Sequence, residues 1–256
     1  MKFRAVFLDI DDTLFDFRKS SFEALAAAFA ELGVSFTEAD MPHYEVYNDQ
    51  MWQMFERGEI EKADIYEERF RLYFAERGIE ADTAAFNRKY LYELAEGVNF
   101  MPHCAELLQA LHGRWKVFIL TNGDTYAQER RIEKSGFAPY FDGVFISEQL
   151  GCKKPEKAFY DKVFSLIGEE YRGCTLMVGD SLSSDMQGGR NAGIPTCFYG
   201  KREKADARCD YVIEDLLEDM DAIIDASQPY TLEEWEKRPW LRRMAASIWK
   251  LGAIWL

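Results

Sequence analysis

Positive charge is the first thing this chain lacks. Its 256 residues hold 31 Lys plus Arg against 45 Asp plus Glu, a formal net charge of −14. That balance excludes general nucleic-acid binding through phosphates, which needs a basic face. An anionic ligand must instead meet a local positive field, made by a metal or by a few placed cations and backbone N–H groups. Histidine is scarce, and His43, His103 and His112 are scattered, so a histidine metal cluster is not expected. The five cysteines (Cys104, Cys152, Cys174, Cys197, Cys209) are odd in number and contain no C-x-x-C pair. They read as reduced thiols of a cytoplasmic protein. No apolar run approaches the ~20 residues of a membrane span. The first apolar run is too short for a secretory signal, because carboxylates enter at Asp9. There is no internal repeat and no low-complexity linker. What remains is an ordinary globular composition, 48% hydrophobic and 30% charged, with enough chain for one or two domains.

The pattern along the chain is alternation. Short apolar, β-rich runs occur at Ala5–Ile10, Lys116–Thr121, Gly143–Ser147, Thr175–Gly179 and Thr196–Tyr199, with a weaker one at Tyr211–Ile213. Most are apolar at nearly every position, as strands buried on both faces are. Helical patterns lie between them at Cys104–Leu111, Tyr126–Lys134, Glu156–Leu166 and Ser184–Asn191. This predicts a doubly wound α/β protein with a parallel sheet covered on both sides. One stretch breaks the alternation. Between Asp16 and Gly97 the pattern is helical four times over, near Ser20–Leu32, Tyr44–Arg57, Lys62–Arg77 and Thr83–Glu96. Gly33, Gly58, Gly78 and Gly97 are placed to end these helices. The expected organisation is an α/β core of residues 1–15 and 98–227, an inserted four-helix unit of residues 16–97, and a tail of residues 228–256.

Four clusters fall at strand ends, where ligands bind in such sheets. Asp9-Ile10-Asp11-Asp12-Thr13 follows the first strand, and carboxylates so crowded need a cation or protons. Asp9 and Asp11 can point towards one spot while Ile10 points away, which suits Mg²⁺ held by oxygens. The plainer alternative is that Asp11, Asp12 and Thr13 cap a helix. A calcium loop fits poorly, because Leu14 and Ser20 stand where it needs Gly and Glu. Thr121-Asn122-Gly123 ends the second strand and offers a hydroxyl, an amide and a flexible backbone to an anion. Lys154 precedes Pro155, which suits the first position of a helix opening near Glu156. A cation there strengthens an end that already attracts anions. Gly179-Asp180 ends the fourth strand, and Asp185 follows near the next helix start. One of these acids can ligate a cation while the other orients that ligand. Together the four supply what phosphoryl transfer requires.

In this order and context the motifs resemble those of the haloacid dehalogenase superfamily of phosphohydrolases, over roughly residues 1–225. The resemblance implies that Asp9 is the nucleophile and Asp11 the general acid/base. Thr121 would hold the transferring phosphoryl with the Asn122 and Gly123 backbone, and Lys154 would neutralise charge on Asp9 and the phosphate. Asp180 would bind Mg²⁺ with Asp9 and the Asp11 carbonyl, and Asp185 would support the metal's ligands. The long gap between Asp9 and Thr121 leaves room for a helical cap after the first motif, while the short gap from Thr121 to Lys154 leaves none for the other cap type. A finer resemblance is to the pyrimidine 5′-nucleotidase branch, carried by Asp9–Phe17 (DIDDTLFDF), Phe145–Pro155 (FISEQLGCKKP) and Met177–Thr196 (MVGDSLSSDMQGGRNAGIPT). It implies a Mg²⁺-dependent phosphatase of small phosphate monoesters, nucleoside monophosphates foremost. The alternatives are a sugar-phosphate phosphatase or phosphomutase, and a non-catalytic scaffold on the same fold. Dehalogenase chemistry is disfavoured, because by the same resemblance dehalogenases lack the acid found here as Asp11.

Two further features stand outside the motifs. Trp52, Tyr44, Tyr47 and Phe55 are spaced as a helix face, which suits core packing better than base stacking, though an aromatic facing a cleft can stack a base. The tail holds four of the six tryptophans (Trp235, Trp240, Trp249, Trp255) and is net positive. Thr231 and Glu234 have capping-box spacing for a helix that Pro239 would end. The tail is expected to pack on its own chain or across a homodimer, with peripheral membrane contact as the rival.

Overall fold

The apolar runs become six strands of one sheet. The computed structural model describes residues 3–224 except 218, 221 and 222. The strands are β1 (Ala5–Leu8), β2 (Lys116–Thr121), β3 (Gly143–Ile146), β4 (Thr175–Gly179), β5 (Thr196–Tyr199) and β6 (Tyr211–Ile213). All pairings are parallel, in the order β3-β2-β1-β4-β5-β6. β1 is central, and Ala5 pairs with Lys116 on one side and Thr175 on the other. Its four residues are fully buried because both faces of the sheet are covered. Val6 and Leu8 pack with Leu107, Leu108 and Leu111 of α5 (Cys104–Leu111). Ala5 and Phe7 face the other way, onto Phe159, Tyr160, Val163 and Phe164 of α8 (Lys157–Ile167). Burying a side chain the size of Phe7 or Leu8 contributes roughly 1.5–3 kcal/mol over leaving it in water.

The remaining helices are α1 (Phe17–Glu31), α2 (Met41–Glu56), α3 (Lys62–Arg77), α4 (Thr83–Glu96), α6 (Thr125–Ser135), α7 (Ser147–Leu150) and α9 (Gln187–Ala192). The first four fill the interval between β1 and α5, as the sequence predicts. Their starts are fixed by local acids. Asp16 accepts from Lys19 N and Asp82 from Ala85 N, while Glu61 and Asp64 form a reciprocal capping box. Because Asp16 caps the first helix, α1 begins at Phe17 rather than Ser20. Gly33, Gly58 and Gly78 take left-handed φ at helix ends. Gly97 differs. It is extended, at φ −88°, because the chain there runs straight back towards the core. The four helices share their own aromatic core, built on Phe29, Phe70, Tyr73, Phe74, Phe86 and Tyr90. Entry and exit of this unit lie side by side. Asp16 N donates to Asn99 O at 3.0 Å and Met101 N to Leu14 O at 2.9 Å.

Three local expectations shift. β1 ends at Leu8, not Ile10, because the chain turns at Asp9. Pro155 is not the first residue of α8, since the helix starts at Lys157 with Glu156 as its cap. The reason is that Lys154 is pinned to Asn122 on both sides of its backbone, which keeps the chain out of the helix until past Pro155. Asp185 lies inside a π-helical turn (Leu182–Met186) ahead of α9. Such turns occur often at functional sites. Among the described residues no helix is long and apolar enough to cross a membrane. The tryptophan-rich tail and its Thr231–Glu234 capping box lie outside the described residues.

Candidate active site

The four sequence clusters converge at the carboxyl end of the sheet, across the point where strand order reverses between β1 and β4. Asp9 leaves β1 and its N–H still pairs with Val178 O of β4, at 3.0 Å. Lys154 reaches the centre from the loop before α8 and is 2% exposed. Its Nζ donates to Asp9 Oδ1 at 2.5 Å, Asp185 Oδ1 at 2.7 Å and Leu120 O at 2.9 Å. These three acceptors use all three protons of the ammonium. Burial alone would lower the pKa of Lys154, but Asp185 and Asp9 outweigh it and hold the side chain charged.

Around this cation, carboxylate oxygens of Asp9, Asp180 and Asp185 lie within 4.8 Å of one another. Asp180 accepts from Thr13 Oγ1, and Asp185 from the Ser181 N–H. Asp185 fits so closely under β4 that a Cβ on Gly179 would stand 2.2 Å from its Oδ2, so glycine is required there. Burial pushes Asp9 up to about 8, against the pull of Lys154 and with the charges of Asp185 and Asp11. Burial, then the Asp9 charge, lifts Asp180 well above the carboxylate range. Three crowded acids and one ammonium leave negative charge uncompensated. An all-oxygen donor set of this kind fits a hard divalent cation such as Mg²⁺.

Asp11 stands apart from that trio. Its carboxylate is taken up by α6, accepting from Arg131 Nη1 and Gln128 Nε2 at 2.5 Å each. Neither residue stands out in the sequence. Arg131 is 1% exposed and stacks over Phe15 at 5.1 Å. Gln128 also donates to Thr121 Oγ1 at 3.0 Å, as does the Gly123 N–H at 2.9 Å. Thr121 therefore accepts twice, and its own hydroxyl proton is left to donate to an anion. Asn122 does not aim at that cradle. It ties down the backbone of Lys154 and so positions the cation. Asp12 does what the plainer sequence reading allowed, accepting from Phe17 N and Arg18 N below α1.

The helical unit closes the top of the site. Lys62, opening α3, donates to Gly123 O at 2.6 Å and pairs with Glu148 at 3.0 Å. One turn on, the Tyr66 hydroxyl lies 3.1 Å from carboxylate oxygens of both Asp124 and Glu148, to either of which its one proton can be donated. Lys153 sits over the Phe55 ring at 3.6 Å. Core and helices enclose a cavity of about 1050 Å³ running from Asp9, Thr121 and Lys154 up to Asn48, Trp52 and Arg69. The aromatic group splits accordingly. Tyr44 and Phe55 are buried in the helical unit, whereas Trp52 is partly exposed and lines the cavity.

Comparison with known proteins agrees with this geometry. The family model for haloacid dehalogenase-like hydrolases matches residues 3–193. The chain is 36% identical over 204 residues to pyrimidine 5′-nucleotidase YjjG of Escherichia coli, covering 80% of this chain and 89% of that one. It is 36% identical over 200 residues to pyrimidine 5′-nucleotidase PynA of Streptococcus pneumoniae, covering 78% and 84%. Among solved structures it resembles the HAD-hydrolase YfnB of Bacillus subtilis, crystallised with magnesium. The TM-score is 0.82 at 31% identity, over 88% of this chain and all of that one. The motifs, the parallel sheet that gathers them and these relatives agree: the chain belongs to the haloacid dehalogenase-like hydrolases.

Proposed function

We propose that this chain is a Mg²⁺-dependent phosphomonoesterase of pyrimidine nucleoside 5′-monophosphates, acting through an aspartyl-phosphate on Asp9. The observation that carries it is the ammonium of Lys154 gripping Asp9 at the floor of the cavity beside the Thr121 hydroxyl. The relatives' names supply the substrate class. Asp9 Oδ attacks phosphorus as the ester P–O bond breaks, and the Asp11 carboxyl gives its proton to the departing alkoxide. The Asp11 carboxylate then takes a proton from water. The water oxygen bonds to phosphorus, the Asp9–phosphorus bond breaks, and phosphate leaves. Arg131 and Gln128 both donate to Asp11 and fix the position from which it exchanges its proton. Thr121, the Gly123 backbone and Lys154 bind the phosphoryl oxygens. Asp9 and Asp180 would hold Mg²⁺ with the Asp11 carbonyl, and Asp185 would support them. Mg²⁺ offsets phosphoryl charge that otherwise repels the nucleophile. Residues 16–97 act as a cap that excludes bulk water.

The test is phosphate release from a panel of nucleoside monophosphates and sugar phosphates with Mg²⁺ and with EDTA. Selective, EDTA-sensitive release from pyrimidine monophosphates is the expected result. Preference for sugar phosphates discards the substrate class, and silence across the panel discards the enzyme reading.

The crowded acids add a pH dependence. In the metal-free folded chain Asp9 is pushed up to about 8 and Asp180 is raised as well, whereas an unfolded chain has lost both protons above about 4. More protons are bound in the folded state, so these groups make metal-free stability fall as pH rises from about 4 to about 8. A bound cation expels those protons. Mg²⁺ should therefore raise Tm more at pH 8 than at pH 6, and its heat of binding should depend on the buffer's ionisation enthalpy. Equal Tm gains at both pH values would remove the cation from these carboxylates.

A further inference from the structure

Arg69 lies on the face of α3 that carries Lys62 and Tyr66, one turn beyond Tyr66, and it lines the cavity on the cap side. It is 2% exposed. Its only hydrogen bonds within the described residues are to neutral amides, Asn48 Oδ1 at 3.2 Å and Asn87 Oδ1 at 2.9 Å. No carboxylate among those residues forms an ion pair with it, and its Nε has no partner. Aromatic faces take up the rest, with the guanidinium 4.7 Å from the Phe70 ring, 4.9 Å from Tyr90 and 5.8 Å from Tyr66. These contacts recover part of the lost hydration. A buried cation without a counter-charge still costs several kcal/mol, and structural arginines are normally paired. This one has a charge and a donor that nothing among the described residues satisfies.

The surroundings select what completes it. Asn48 and Asn87 spend their carbonyl oxygens on Arg69 and Asn48 Nδ2 turns to Asp49, so the groups left beside the guanidinium are donors, its own Nε and the Asn87 amide N–H. A ligand must bring acceptors. Tyr66, Tyr90 and Trp52 line the same space and suit a flat ring. A pyrimidine base meets both demands, with carbonyl oxygens on a planar edge, and a phosphate held at Lys154 leaves its base to extend into the cap.

We propose that Arg69 is the residue that selects the leaving group, receiving the carbonyl edge of the pyrimidine base while Asn48 and Asn87 hold its fork in place. The proposal rests on the nucleotidase reading above and names the residue responsible for it. Three proteins are compared on uridine 5′-monophosphate and on ribose 5-phosphate, which is the same ester without the base. Wild type should prefer the nucleotide. In Arg69→Met the ratio of kcat/KM, nucleotide over sugar phosphate, should fall about 10- to 100-fold, the loss entering through KM for the nucleotide. Asn48→Asp gives the guanidinium a carboxylate partner inside the fold, so it tests the idea without emptying the site. There the same ratio should fall at least about fivefold while Tm holds or rises. A wild type with no preference for the nucleotide defeats the nucleotidase reading and this proposal with it. A wild type that prefers the nucleotide, with variants whose ratio is unchanged or whose two substrates decline in parallel, defeats the role of Arg69 alone.

Discussion

Asp9→Asn should fold as the wild type does and lose turnover by a factor of about 10⁴ or more, the scale on which removal of a catalytic nucleophile is felt. The substitution preserves shape. Lys154 keeps two of its three acceptors, Asp185 and Leu120 O. What is lost is the anionic oxygen that attacks phosphorus, and no neighbour replaces it. Asp180 and Asp185 are fixed elsewhere by Thr13 and Ser181, and Asp11 is held by α6. Removing one acid from a crowded trio also relieves repulsion, so the metal-free variant should be at least as stable as the parent. Phosphate release, an acid-quench assay for phosphoenzyme and a melting curve with and without Mg²⁺ read the three consequences. More than about 1% residual turnover would take the nucleophile's role from Asp9.

Lys154→Met should damage both stability and catalysis. Breaking a buried ion pair by deleting one partner costs about 3–5 kcal/mol, because the other charge is stranded. Here two carboxylates lose their partner at once. The fold can lessen the penalty by protonating them, which works at low pH and fails as pH rises. Destabilisation should thus be larger at pH 8 than at pH 6, and Mg²⁺ should restore part of it by supplying another counter-charge. The same deletion leaves the nucleophile and the incoming phosphate to repel each other, and kcat should drop about 10²- to 10³-fold. A variant as stable as wild type at pH 8 would mean that the ammonium does not carry the charge balance of the site.

The sheet, the inserted helices and the residues at strand ends were all legible in the sequence, because each leaves a local mark. A run such as Ala-Val-Phe-Leu, apolar at every position, reads as a doubly covered strand. Asp9, Thr121 and Asp180 read as a site because each sits at the end of such a run, and Lys154 because it stands just ahead of the next helix. What could not be read is pairing between distant segments. Arg131 and Gln128 meet Asp11 from 120 and 117 residues away, and no pattern in α6 marks them out from solvated polar residues. Lys62 and Arg69 look like the polar face of an amphipathic helix until the helix docks with that face inwards. The proline after Lys154 reads as a helix start because the constraint that delays the helix comes from Asn122, just past the end of β2. Local chemistry thus marks the catalytic floor, and only tertiary contacts reveal the groups that orient it and the roof above it.

The strand order has a consequence for how the enzyme is made. β1 leads directly into Asp9, yet its neighbours begin at Lys116 and Thr175. At ~5–20 residues per second, a ribosome needs roughly 10–30 s to pass from the first of these three strands to the last. Until β2 emerges the four apolar residues of β1 have no strand to join, and until β4 emerges they are paired on one side only. Helices α1 to α4, by contrast, find most of their aromatic partners within their own segment and need not wait. Nascent chains should acquire the roof before the floor, and Asp9 cannot meet Lys154 and Asp180 until β4 has emerged. A chain halted before β2 is thus a helical bundle with an unpaired strand, and one halted before β4 still lacks Lys154 or Asp180 beside Asp9.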